Sequence, residues 1–133
     1  MNVVLQTNAP ETLELRSLRR FSDDSGFVCR LIVHSGYFSA EHDFYFGRPG
    51  LQAFITNLTA MDRDLKGKAE LRTPYEDDRV IFEVTPLGSV LVSGELHEYS
   101  AHPQSLTFSF TTDQTCLGGF VRQLASALEM PAE

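Results

Sequence analysis

Few side chains in this sequence could do chemistry, and their spacing limits what that chemistry could be. The chain has two cysteines, Cys29 and Cys116, and four histidines, His34, His42, His97 and His102. No pair of histidines has the i, i+4 spacing that sets two imidazoles on one helical face around zinc, and neither cysteine has a CxxC partner. A metal site would have to assemble from distant strands, so neither a metal nor another cofactor is expected. Cys116 stands near an expected helix start, where the helix dipole favours a thiolate. No signature of a thiol-enzyme family surrounds it, and a small core residue beside Leu117 is its expected role. Acidic groups come in Asp23-Asp24, Glu41 with Asp43, Asp62 with Asp64, and Glu76-Asp77-Asp78. A glycosidase needs two carboxylates facing one cleft. Here most fall in turns or on solvated faces. GxGxxG, P-loop and GxSxG sequences are missing. No catalytic residue is assigned, and the chain is read as a non-enzymatic protein.

Bulk properties narrow the class. A length of 133 residues is that of one domain, taken as 1–133. A chain of this size can bury roughly two-thirds of its unfolded surface, which needs no cross-links. The net charge is −7, from 11 basic and 18 acidic residues. That excludes an ordinary nucleic-acid binder, which needs a basic patch for phosphates. It suits a basic protein partner, and also simple solubility. No apolar run approaches the ~20 residues of a membrane helix, so no membrane partner is expected. Met1 to Thr7 carry no basic segment followed by an apolar one, as a secretory signal would. Cys29 lies in an apolar alternating run. Two unbonded, buried thiols are expected, and with them a cytoplasmic location.

The elements that must position these groups follow from a pattern that occurs twice. Phe44 and Phe46 end a strand-like run, and Leu51, Phe54, Ile55 and Leu58 follow at helical spacing. Phe108 and Phe110 end another, and Leu117, Phe120, Val121 and Leu124 follow at the same spacing. A period of 2 stops and a period of 3.6 begins, so each helix needs a sheet face to cover.

Before the first helix, strands are expected over Glu11–Leu18, Phe27–His34 and a run ending at Phe46. The turn Ser22–Gly26 and Gly36 separate them. Pro49 suits the first turn of the helix and Gly67 its C-terminal stop, with Leu65 and Met61 on the inner stripe. After it, alternation about Leu71, over Val80–Val84, Val90–Leu96 and Leu106–Phe110 gives four more strands. A helix from about Thr115 to Leu128 follows, capped by Asp113 or Thr115. Gly118-Gly119 inside that helix reads as close packing on the sheet, because glycine there costs up to ~1 kcal/mol against alanine. The expected fold is α+β and two-layered. It has a mostly antiparallel sheet of about seven strands, two helices on one face and a possible internal pseudo-repeat.

The passage Phe108-Ser-Phe-Thr-Thr-Asp113-Gln114-Thr115-Cys-Leu117, running into Phe120 and Leu124, resembles the Wap-type (WapI-like) bacterial immunity proteins. So does Leu51-x-x-Phe54-x-x-x-Leu58, ending in Leu65-Lys-Gly67-x-Ala69-x-Leu71. Related bacterial domains of unknown function share the order of elements. The resemblance implies a small cytosolic protein that neutralises a polymorphic toxin by binding its toxic domain, and it brings no site residues with it. Many such toxins act on nucleic acid and are basic, which an acidic surface would complement. Asp23, Asp24, Glu76, Asp77 and Asp78 are the candidate partner-binding residues, as dense acidic clusters in loops. Two other readings stand beside this one. An acidic secretion chaperone would open with an amphipathic helix, where residues 1–20 read as strand. A small-ligand-binding domain would show a deep pocket with converging polar groups. The oligomeric state stays open.

Overall fold

Alternation of apolar and polar residues between Val3 and Gly47 builds four strands in the computed structural model, which describes residues 1–132. They are β1 (Val3–Leu5), β2 (Thr12–Arg20), β3 (Gly26–Ser35) and β4 (Phe38–Gly47), followed by helix α1 (Arg48–Asp64). The second half repeats the plan with β5 (Lys68–Arg72), β6 (Arg79–Val84), β7 (Val90–Glu98) and β8 (Gln104–Thr112). A 3-10 turn (Gln114–Cys116) then leads into helix α2 (Leu117–Leu128). Each strand pairs antiparallel with the next in the chain, except β4 with β5. The fold is α+β, as the sequence implied.

The strands form two sheets of four, β1-β2-β3-β4 and β5-β6-β7-β8, and not one sheet of about seven. A helix of 17 residues separates β4 from β5. At ~1.5 Å per residue it carries the chain across the molecule, and β5 then packs against α1 itself instead of hydrogen-bonding to β4. The added strand is β1, too short for its alternation to register as a period. Long-range bonds hold it. The Met1 carbonyl accepts from the Leu18 amide at 2.7 Å, and the Asn2 side-chain oxygen accepts from the Ser17 amide at 2.9 Å. Ser17 sits at φ 54°, where the β2–β3 register shifts between Arg16 and Arg19. The Gln123 amide of α2 donates to the Val4 carbonyl at 2.9 Å and accepts from its N–H at 2.8 Å, taking the place of a neighbouring strand.

One hydrophobic cluster contains residues from all eight strands and both helices. Its centre is a trio of rings. Phe82 stacks on Phe120 at 5.4 Å, and Phe54 meets both edge-on, at 5.7 Å and 6.4 Å. Leu13, Leu15, Leu31 and Phe44 of the first sheet close over Leu71 and Val80 of the second around these rings. The two helices thus lie side by side in contact within a common core.

Leu51, Phe54, Leu58, Leu117, Phe120 and Leu124 are buried, whereas Ile55 and Val121 at the stripe margins are only half-buried. Leu65 leaves the stripe and is half exposed, because it ends α1 in the left-handed conformation at φ 55°. The stop falls there and not at Gly67. Asp113 caps the 3-10 turn, accepting from the Thr115 amide at 2.9 Å, so α2 begins at Leu117 and not at Thr115. A side chain at Gly118 or Gly119 would meet only the flexible ends of Arg122 and Asp62, so close packing on the sheet does not explain this pair. Gly94 is different. A Cβ there would lie 2.6 Å from the Phe108 ring and 2.5 Å from the Arg79 carbonyl, so only glycine lets that ring cross β7.

Candidate functional site: an acidic and aromatic end

The register of β3 with β4 sets Gly26 opposite Gly47 and Phe27 opposite Phe46, which puts the β2–β3 turn beside the end of β4. A second tie brings in the β5–β6 turn. Thr73 is fully buried, and its hydroxyl donates to the Tyr45 carbonyl at 2.9 Å. Two turns far apart in sequence therefore flank one hollow, lined by Phe21, Ser25, Tyr45, Phe46 and Pro74 among others.

Each candidate carboxylate has its own setting. Asp23 is exposed, and its Oδ1 accepts from the Ser25 amide at 3.0 Å. Hydrogen bonding to Ser25 holds its carboxyl below the usual range. Asp24 is exposed, left-handed at φ 61°, and pairs with Arg20 at 2.6 Å. Glu76 accepts from the Tyr45 hydroxyl at 3.3 Å, and Asp77 points into solvent. Desolvation, with Glu76 alongside, raises the Tyr45 phenol above its ordinary pKa. Asp78 turns the other way. It is 3% exposed, accepts from the His97 amide at 2.7 Å and lies 3.1 Å from His42 Nε2. Four of the five carboxyl groups thus lie in the two turns that flank the hollow, Glu76 touching it through Tyr45, and the fifth bolts the second turn to the interior.

Three aromatic residues at this end carried no weight in the sequence reading. Tyr75 is fully exposed, with Tyr45 and Phe21 at about two-fifths exposure. Tyr75 also holds a left-handed backbone at φ 63°, which is uncommon for a bulky residue and occurs preferentially at functional sites. A tyrosine set between Pro74 and two acids in a turn is the signal that could have marked it.

A second concave feature lies where the two sheets part. Val33, Phe38, Ala40, Leu106 and Phe108 line its apolar half, and His42, His97, Glu41 and Glu98 its polar half. His42 and Asp78 form a His–carboxylate pair, but no hydroxyl or thiol is bonded to the imidazole among the described residues. Glu95 lies 3.4 Å from His97 and 2.7 Å from Arg79, and the bond from Arg79 holds its carboxyl below the usual range. Among the described residues no group of three or more His, Cys, Asp or Glu is placed to hold a metal.

The cysteines are unbonded. Burial pushes the Cys29 thiol up to about 12, with Asp43 adding to the effect. At pH 8 only roughly one molecule in 10⁴ would then carry the thiolate. Cys29 should stay unmodified by a thiol reagent under native conditions and react once the chain is denatured, as mass spectrometry would record. Native labelling of Cys29 within minutes would contradict its burial. Cys116 is half-buried, with its sulfur 3.3 Å from the Thr112 hydroxyl.

No curated protein and no solved structure matches the chain. The family described as Immunity protein WapI-like matches it over residues 4–131, from β1 through the end of α2. Since the match takes in both sheets, both helices and the acidic turns between them, the chain belongs to the WapI-like immunity protein family.

Proposed function

We infer that this protein protects its cell by binding a basic toxin domain through the acidic and aromatic end, with no catalysis and no cofactor of its own. One observation carries the reading. Two acidic turns, separated by about a third of the chain, converge on an exposed apolar hollow. Aromatic side chains ringed by charge are the composition of an interface hot spot, where rings supply buried area and carboxylates supply steering. The carboxylates of Asp23, Asp24, Glu76 and Asp77 would meet the cationic surface with which a nuclease-like toxin holds its substrate. The net charge of −7 acts in the same direction at longer range. Among the described residues no helix is long and apolar enough to cross a membrane. The two unbonded thiols suit a reducing compartment and support a cytoplasmic location.

Co-expression with the toxic domain encoded beside the gene tests protection directly. The combined variant Asp23→Lys, Glu76→Lys and Asp77→Lys should slow association about tenfold or more at low salt and flatten its salt dependence. Its melting midpoint should remain close to the parent's. Tyr75→Ala should act mainly on the off-rate, raising it about tenfold. Full protection by the charge-reversed chain, with unchanged association kinetics, would remove this end from the interface.

A further inference from the structure

The four sheet edges are not equally protected. The outer edge of β1 is closed by the Gln123 amide, and β5 packs against α1. β4 carries Glu41 and Asp43, both paired to Arg30. β8 is covered only at Ser109, whose carbonyl the Ser35 hydroxyl reaches. It is 9 residues long, Gln-Ser-Leu-Thr-Phe-Ser-Phe-Thr-Thr, with no charge and no proline. An edge of this kind is an open template for another strand.

The pairing pattern tells which backbone groups are open. The Ser109 carbonyl accepts from the Ser35 hydroxyl at 3.0 Å, so it points away from β7. The register between β7 and β8 runs without a shift from Glu98↔Gln104 to Val90↔Thr112. Antiparallel alternation then directs both the N–H and C=O of Ser105 and Thr107 outward, on the same side as Ser109. No backbone bond from another element reaches Ser105 or Thr107 among the described residues. Beside this edge lies the cleft between the sheets, about 290 Å³ in its apolar part. Phe38, at 73% exposure, stands open at its mouth.

The charge of the cleft selects the occupant. Its lining has neither lysine nor arginine; it includes Glu98 and also Glu41, whose carboxylate is shared with Arg30 outside the cleft. Glu98 is exposed and makes no ion pair with a described residue. A second copy of a chain at −7 would be repelled here. We propose that an extended, basic segment of the toxin domain adds as a strand to the free edge of β8, bonding to Ser105 and Thr107. Its apolar side chains would enter the cleft at Phe38 and Leu106, and its lysine or arginine side chains would meet Glu41 and Glu98. This rests on the toxin-binding reading above and names the part of the partner that the second sheet would hold.

Thr107→Pro removes the outward N–H while leaving the ladder to β7 intact, a place where an edge strand tolerates proline. The variant should keep the parent's melting midpoint and bind the toxic domain encoded beside the gene at least tenfold more weakly. Independently of any variant, hydrogen exchange at the Ser105 and Thr107 amides should slow in the complex of the parent chain with that domain. Toxin bound with unchanged exchange at both amides, or by Thr107→Pro with the parent's affinity, would overturn strand addition and leave the immunity reading standing. A parent chain that binds no such domain would overturn both. A dimer of the parent chain that Thr107→Pro dissolves would make a second copy the occupant and overturn the proposal.

Discussion

Phe120→Ala should lower the free energy of unfolding by about 3–5 kcal/mol, the range for removing a fully buried aromatic ring. The ring is 1% exposed and is the point where α2 meets both α1 and the second sheet, through Phe54 and Phe82. Its loss would leave a cavity between elements that come from opposite halves of the chain. A domain of this size has a total stability of about 5–15 kcal/mol, so the variant should unfold at much lower denaturant or not accumulate at all. Val121→Ala, one residue further on and half-buried, should cost far less. Chemical denaturation of the two variants side by side checks this. Equal midpoints for Phe120→Ala and the parent would contradict the central place of the ring.

Asp78→Ala should have the next largest effect, about 3 kcal/mol, although the residue reads in the sequence as the last of three surface acids. Its carboxylate is buried and accepts from the His97 backbone while facing His42. Hydrogen bonds to a charged group contribute about 1.5–3 kcal/mol each, and a buried donor left unmatched adds its desolvation cost. The neighbouring Asp77→Ala should leave stability almost unchanged, because Asp77 is exposed. Asp78→Asn retains one acceptor for the His97 amide and should fall between the two. Thermal melts of the three variants test the order. Asp78→Ala should also weaken toxin binding indirectly, by loosening the turn that carries Tyr75 and Glu76. Similar melting midpoints for Asp77→Ala and Asp78→Ala would mean that the inward bonds of Asp78 do not hold the turn.

Much of this protein is written in local patterns. The alternation through Phe27, Cys29, Leu31 and Val33 and the spacing of Leu51, Phe54 and Leu58 both mark residues that are buried. Burial in each case follows from a period of 2 or 3.6 that any solvent-facing element must show. The helix entry at Pro49 and the hairpin turns rest on single-residue backbone preferences. The resemblance to the family is legible for the same reason, since the residues that carry it are strand ends and helix stripes, and the family match spans residues 4–131. Tertiary structure decided the rest. An edge strand satisfies its hydrogen bonds with whatever reaches it, and local sequence does not say whether that is β4, α1 or the side chain of Gln123. Hence the strands part into two sheets and β1 holds with only 3 residues. A turn's charges also show nothing of their direction: Asp77 and Asp78 are chemically alike and adjacent, yet one faces water and the other His42. Convergence of the two acidic turns on Tyr45 required Thr73 to bridge to a strand 28 residues away, a contact set by the packing of the second sheet on the first.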